Sequence, residues 1–251
     1  MTKAIILGAS AAVPTRESAN THMLFPGRER TVLVDAPGGS TVLRLEQAGV
    51  DFNTLSDVIV THFHIDHSLG IPSLLVEMWL LGRRRPLHIY GLAPVLERLQ
   101  TLLGLYDWQA WPNLFPVVFQ CLPAAEMAPV LECADFRIQA SPVHHGIPNI
   151  GLRVEFKPGG QTLAYSCDTA PCQEVVRLGA GADVLIHEAT GEMPGHSSAR
   201  QAGEIARQAQ AGSLYLIHYP AGEQARHDLV ADAQTTFPGK VALAKDFMTI
   251  D

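Results

Sequence analysis

The feature that most restricts this chain is the run Asp57-Val58-Ile59-Val60-Thr61, followed at once by His62-Phe63-His64-Ile65-Asp66-His67. A β-branched apolar run of this kind reads as a strand covered on both faces, so it belongs inside a layered α/β fold. In extended backbone alternate side chains point the same way, which lets His62 and His64 reach one cation. The chain must then turn, and Asp66 and His67 can face a second position. Imidazole nitrogen and carboxylate oxygen are the donors that a borderline-soft cation such as zinc takes. The bland reading is a polar loop that happens to be rich in histidine. Four potential ligands within six residues at a strand end argue against it.

The 251 residues, 47% of them hydrophobic, suffice for a sizeable core in one compact domain spanning 1–251. Strands are expected at Lys3–Gly8, His22–Pro26, Thr31–Asp35, Leu87–Tyr90, Phe136–Ala140, Gly151–Phe156, Gln161–Ser166, Asp183–His187 and Leu214–His218. The turn Pro158-Gly159-Gly160 joins two of them as a hairpin. Helices are expected at Thr41–Ala48, stopped by Gly49, at Pro72–Leu81 with Leu74, Leu75, Met78 and Leu81 on one face, and at Pro94–Leu103. Ser198-Ala199-Arg200-Gln201 fits a capping box opening a helix that ends near Gly212. The proline-rich stretch Leu105–Asp135, with Trp108, Trp111 and Phe115, gives no clear element; its aromatics fit a substrate wall or plain core and dimer contacts equally. Strands clustered in each half, with helices between, suggest two packed sheets covered by helices outside.

Further ligands stand where short strands end: His144-His145, Asp168 and His218. Asp168 has two carboxylate oxygens and can bridge two metals about 3.5–4 Å apart. Taken singly, Asp168 or His218 would be a turn residue or a satisfied core histidine; the set gives them meaning. The formal charge of −7 offers no general attraction to a polyanion, so any nucleic-acid contact must be local. Mean hydropathy is slightly positive, yet no apolar run approaches bilayer length, and the N-terminus lacks a signal-peptide pattern. The cysteines Cys121, Cys133, Cys167 and Cys172 are then reduced thiols of a cytoplasmic protein with no membrane partner. Cys167 and Cys172 flank Asp168, but their spacing fits no common zinc motif. Arg83-Arg84-Arg85 reads as a solvated helix C-terminus, with a phosphate contact as the alternative.

The His-x-His-x-Asp-His run, the later histidine at His145, Ser166-Cys167-Asp168-Thr169 and the terminal His218 together resemble the metallo-β-lactamase superfamily. Within it, Leu7-Gly8, Pro14-Thr15-Arg16, His145-Gly146 with Gly151-Leu152-Arg153, His187-Glu188-Ala189-Thr190 and Gly195-His196-Ser197-Ser198 resemble ribonuclease Z and its relatives. The resemblance implies an αββα sandwich, two mixed sheets flanked by helices, with the site along one edge. It puts His62, His64 and His145 on one metal and Asp66, His67 and His218 on a second, with Asp168 bridging; His144 is the substitute for His145. The implied cofactors are two zinc ions, with manganese as the other candidate. Asp66, Glu188 and His196 are the implied catalytic residues. Glu188 and His196 would move a proton to the leaving group while a metal-bound hydroxide attacks phosphorus. His187 is expected to pack rather than ligate, and dimerisation is implied by the resemblance alone.

Ribonuclease Z proteins that process tRNA carry a flexible arm, in the bacterial form between the second histidine and the bridging aspartate. Here that interval is the 22 residues 146–167, nearly filled by a hairpin, so the arm has no room. Leu152 stands where the family has an aromatic residue, and the segment Leu216-Ile217-His218-Tyr219-Pro220 lacks the family's usual serine and arginine. These departures count against tRNA and favour a small phosphodiester or short RNA. Other readings on the same scaffold are a lactone, thioester or carboxylic-ester hydrolase, a redox protein, and a metal-binding assembly factor without catalysis. His64 speaks for a hydrolytic zinc site over the redox relatives, which place an acidic residue there.

Overall fold

Apolar runs without a polar face need cover on both sides, and this chain supplies it by stacking two sheets between helices. The computed structural model describes residues 4–157, 159–220 and 223–251, the side chains of 223–228 excepted. Lys3 of the expected first strand and Pro158 of the expected hairpin turn lie outside the described residues. The first sheet takes β1 (Ala4–Gly8), β2 (His22–Phe25), β3 (Thr31–Val34), β4 (Leu55–Ile59), β5 (Leu87–Leu92) and β6 (Val117–Leu122). The second takes β7 (Ala128–Glu132), β8 (Phe136–Pro142), β9 (Ile150–Phe156), β10 (Thr162–Tyr165), β11 (Val184–Glu188), β12 (Ser213–Ile217) and β13 (Lys240–Leu243), while β14 (Thr249–Ile250) returns to the first. Among the described residues the orders are β14-β1-β2-β3-β4-β5-β6 and β13-β12-β11-β10-β9-β8-β7.

Both sheets follow one scheme. From β14 to β3, and from β7 to β10, neighbours are antiparallel; from β3 to β6, and from β10 to β13, they are parallel. The halves therefore repeat in topology although no repeat is visible in the sequence. Outside the first sheet lie α1 (Thr41–Gln47), the short α2 (Ile65–Ser68), α3 (Ile71–Leu80) and α4 (Ala93–Gly104). The second sheet is covered by α5 (Gln173–Leu178), α6 (Ala199–Gln208) and α7 (Glu223–Gln234). This is the metallo-β-lactamase αββα sandwich.

Local chemistry sets most boundaries. Ser40 caps α1 by accepting from the Leu43 amide at 3.1 Å, and Gly49 takes the left-handed turn after it. The capping box of Ser198 and Gln201 opens α6 as expected, but α6 ends at Gln208, short of Gly212. Leu74, Leu75 and Met78 of α3 are buried, whereas Leu81, expected beside them, is its exposed C-cap. The uninterpreted stretch 105–135 holds β6 and β7, each the edge strand of a different sheet. An edge strand has one neighbour and tolerates Pro129 and polar alternation, so its pattern is weak. Its aromatics pack on the structure: Phe115 is buried, Trp111 stacks on Trp79, and Trp108 meets Phe119 edge-on. Arg83 is not at a solvated helix end. Its guanidinium is buried, donates to the carbonyls of Phe52, Leu55, Arg85 and Pro86, and lies over the Phe115 ring.

His22 opens β2 fully enclosed, with Nδ1 donating to the Asn20 carbonyl at 2.8 Å and no partner for Nε2 among the described residues. Burial pushes its pKa down to about 3. The unfolded chain takes a proton near the ordinary value of 6.5, while the folded chain does not until about 3. Stability from this group is thus complete above about pH 6.5 and is lost as pH falls towards 3, with a slope of up to about 1.4 kcal/mol per pH unit. Urea unfolding between pH 6.5 and 4 should show a flatter pH dependence in His22→Gln than in the parent; equal slopes would show that His22 carries no such linkage.

Candidate metal centre

The site forms where loops leave the same edge of both sheets. After β3 the backbone turns at Asp35, after β10 at Cys167 and after β12 at His218, with φ of 63°, 52° and 51°. Non-glycine residues in this left-handed region are strained, and such strain gathers at functional sites. Gly70 closes the His62–Leu69 loop onto the Asp35 turn, its amide donating to the Ala36 carbonyl at 2.8 Å; a Cβ there would sit 1.9 Å from the Pro37 oxygen. Only glycine lets the two loops approach so closely.

Two groups of donors converge. His62 Nε2 and His145 Nε2 lie 3.1 and 3.0 Å from His64 Nδ1. His218 Nε2 lies 3.3 Å from both His67 Nε2 and Asp66 Oδ2. Asp168 Oδ2 stands between the groups, 3.4 Å from His218, 3.5 Å from His67 and 3.9 Å from His62. Its Oδ1 is buried with no hydrogen-bond partner among the described residues. All seven expected ligands are therefore brought together. His144 is not: its ring is 64% exposed and turns towards Glu174.

The outer nitrogens fix the tautomers. His67 Nδ1 donates to Asp35 Oδ2 at 2.8 Å, and His145 Nδ1 to the Gly195 carbonyl at 2.8 Å. Thr61 Oγ1 donates to Asp35 and accepts from His62 Nδ1 at 3.0 Å. Thr190 Oγ1 donates to the His218 carbonyl and accepts from His218 Nδ1 at 2.8 Å. Each of these four rings thus turns its Nε2 inward, the orientation that such outer partners impose on histidines that hold metals. Burial, reinforced by the neighbouring imidazoles, holds His62 well below its ordinary pKa and lowers His64 too. Imidazole lone pairs at about 3 Å from each other, beside an unpartnered carboxylate oxygen, fit divalent cations; without one they would repel.

Glu188 and His196 flank this cluster. Glu188 ends β11 fully buried and accepts from the amides of Thr169, Thr190 and Ser197 at 3.0, 2.8 and 3.1 Å. It also accepts from His196 Nδ1 at 3.0 Å, and this contact raises the His196 pKa. The His196 ring lies parallel to His218, 6.1 Å away, and edge-on to His145 at 4.9 Å. His196, but not the buried Glu188, lines a cavity of about 560 Å³ together with Val13, His64, Asp66, Asp168 and Met193. His187 is buried, its Nδ1 donating to the Glu188 carbonyl.

Sequence reasoning missed Asp35, whose carboxylate orients both Thr61 and His67. The available signal was a lone carboxylate ending the apolar run Thr31–Val34. It also missed Asp246, which accepts from the Ala9 and Ala19 amides, Ser18 Oγ and Arg44 Nη2. That contact pins the loop whose Ala9 carbonyl receives the His218 amide at 2.9 Å.

A sandwich of two mixed sheets with histidines and carboxylates converging at one edge defines an α/β protein with a candidate metal centre. Residues 30–219 match the model of the beta-lactamase superfamily domain. The chain is 30% identical to a ribonuclease BN of Enterobacter sp. over 98% of each chain. It is 27% identical to a ribonuclease Z of Methanothermobacter thermautotrophicus, over 100% of this chain and 97% of the other. The crystal structure of the metallo-beta-lactamase fold protein YhfI from Bacillus subtilis superposes with a TM-score of 0.82 at 26% identity, covering 98% of this chain and 97% of that one. The chain belongs to the beta-lactamase superfamily and, within it, to the ribonuclease Z-like metal-dependent hydrolases.

Proposed function

We propose that this chain is a phosphodiesterase with a dinuclear centre, in which His62, His64 and His145 hold one zinc ion and Asp66, His67 and His218 a second, Asp168 bridging; manganese is the alternative metal. Two such cations supply Lewis acidity at phosphorus and acidify water towards neutral pH. The chain's own residues do the rest. His62, His67, His145 and His218 are pre-oriented by their Nδ1 partners, so little reorganisation accompanies reaction. Asp66 keeps His218 in place from the cavity side. His196, raised in pKa by Glu188, donates its proton to the leaving oxygen, which as an alkoxide is a poor leaving group. That couple is the observation that carries the phosphodiester reading over a lactone, thioester or carboxylic ester, for which the cations alone would serve.

The substrate we favour is a small phosphodiester or short RNA, although the relatives above are named ribonucleases. The interval 146–167 is occupied by β9, β10 and their connections, which leaves no segment there for a tRNA-clamping arm. The alignment with the Methanothermobacter relative runs over 306 positions against 251 residues here, so some 55 positions of that protein have no counterpart. The proposal includes residues 1–251 acting as one domain, a cytoplasmic location and a homodimer. Among the described residues no helix is long and apolar enough to cross a membrane. A hollow of about 680 Å³ beside the ligand loop, between Ile65, Leu69 and Leu105, gives a dimer an apolar face.

Zinc-loaded protein should hydrolyse bis-p-nitrophenyl phosphate, with metal-free protein as the blank. Turnover that vanishes with the metal supports the reading. Protein carrying two cations per chain but inert towards this diester overturns it and directs attention to carboxylic esters, lactones and thioesters.

A further inference from the structure

Two residues singled out by the sequence, His144 and Cys172, take no part in the centre described above, yet the fold brings them together with Glu174. His144 lies in the loop after β8, where its amide donates to Thr169 Oγ1 at 3.2 Å and its carbonyl accepts from the Ala170 amide at 2.8 Å. This clamp holds the backbone still and leaves the exposed ring free to turn towards α5. Cys172 precedes α5 as its N-cap, and Glu174 lies in the first turn. The His144 Nε2 is 3.4 Å from Glu174 Oε2, the Cys172 thiol lies 3.6 Å from Thr169 Oγ1, and the nitrogen, sulfur and carboxylate oxygen all lie within 4.8 Å of one another.

We propose that His144, Cys172 and Glu174 form a third, exchangeable metal site for a thiophilic divalent cation such as zinc or cadmium. In tetrahedral coordination, ligand atoms at about 2.0–2.3 Å from the metal stand about 3.3–3.6 Å apart, so the three donors need only a small closing movement. The exposed His144 ring has room to supply it. A surface ion pair would account for His144 and Glu174 but not for a nearly buried thiol, held at 3.6 Å by Thr169 Oγ1, within 4.8 Å of both. The sulfur donor separates this site chemically from the oxygen- and nitrogen-rich centre, because it selects against manganese and magnesium. The fourth position faces solvent, as befits a cation that comes and goes. Occupancy would be felt nearby, since His144 adjoins His145 and Thr169 links His144 to Glu188.

The test titrates zinc-loaded protein with cadmium and follows thiolate-to-cadmium charge-transfer absorption, with bound metal counted per chain by elemental analysis. Cys121 and Cys133, the more accessible thiols, are first replaced by serine. The expected result is one thiolate-bound cadmium per chain, lost in Cys172→Ser and bound at least about tenfold more weakly in His144→Ala. Both changes are gentle, one near-isosteric and the other at an exposed ring, and circular dichroism confirms folding. Absorption that persists in Cys172→Ser, affinity unchanged in His144→Ala, or no thiolate-bound cadmium in the parent overturns the proposal.

Discussion

Asp168→Ala should lose metal and turnover together. Asp168 Oδ2 is the atom within 4 Å of donors in both groups, and Oδ1 has no other employment among the described residues. Removing it leaves five imidazoles, and Asp66 as the remaining carboxylate, to face two dications. Water on zinc has a pKa of about 7 against about 16 in bulk, so a protein without its cations forfeits nearly all nucleophile at neutral pH, and a loss on the order of 10⁴-fold or more is expected. Metal content by elemental analysis and diester turnover should fall in the same variant. Retention of two metals with ordinary turnover would remove Asp168 from the centre.

His196→Ala should separate metal binding from proton transfer. The ring is held by Glu188, whose carboxylate keeps three backbone amides as partners after the substitution. The centre should therefore keep its metals. Turnover of a diester with an alkoxide or nucleoside leaving group should fall by about 10²–10⁴-fold, the usual worth of a positioned acid. With p-nitrophenolate, which leaves without a proton, the loss should stay within a few-fold. An equal loss on both substrates would assign His196 to positioning instead. Raised in pKa by Glu188, the acid stays protonated as pH rises beyond the ordinary histidine value. Glu188→Gln should move the alkaline limb of the rate profile to lower pH.

The candidate ligands were legible because metal chemistry restricts residue type and strand geometry restricts spacing. His62, His64, Asp66 and His67 are neighbours in the chain, and each had only to point where extended backbone and one helical turn place it. Choosing His145 over His144 was harder, since both follow the same strand. In the structure the His145 ring lies among the converging donors, its Nδ1 donating to the Gly195 carbonyl from fifty residues away in sequence, while the His144 ring turns outward. Edge strands β6 and β7 escaped notice because one-sided pairing relaxes the alternation on which recognition depends. Arg83 was misread because a run of arginines carries no mark of the carbonyl cage that buries one of them.

By itself, then, the sequence determined the layered α/β class, the donor set and the strand ends that bear it, because apolar periodicity and ligand chemistry are local properties. Only the tertiary structure decided which donors meet: the pairing of His67 with Asp35 across 32 residues and the approach of His218 to Asp66 across 152. It also set the buried contact between Glu188 and His196 and the left-handed turns at Asp35, Cys167 and His218. Those features arise when two sheets pack against each other and their loops crowd one edge. The strain and desolvation they carry are sustained by the whole core, and no short stretch of the chain encodes them.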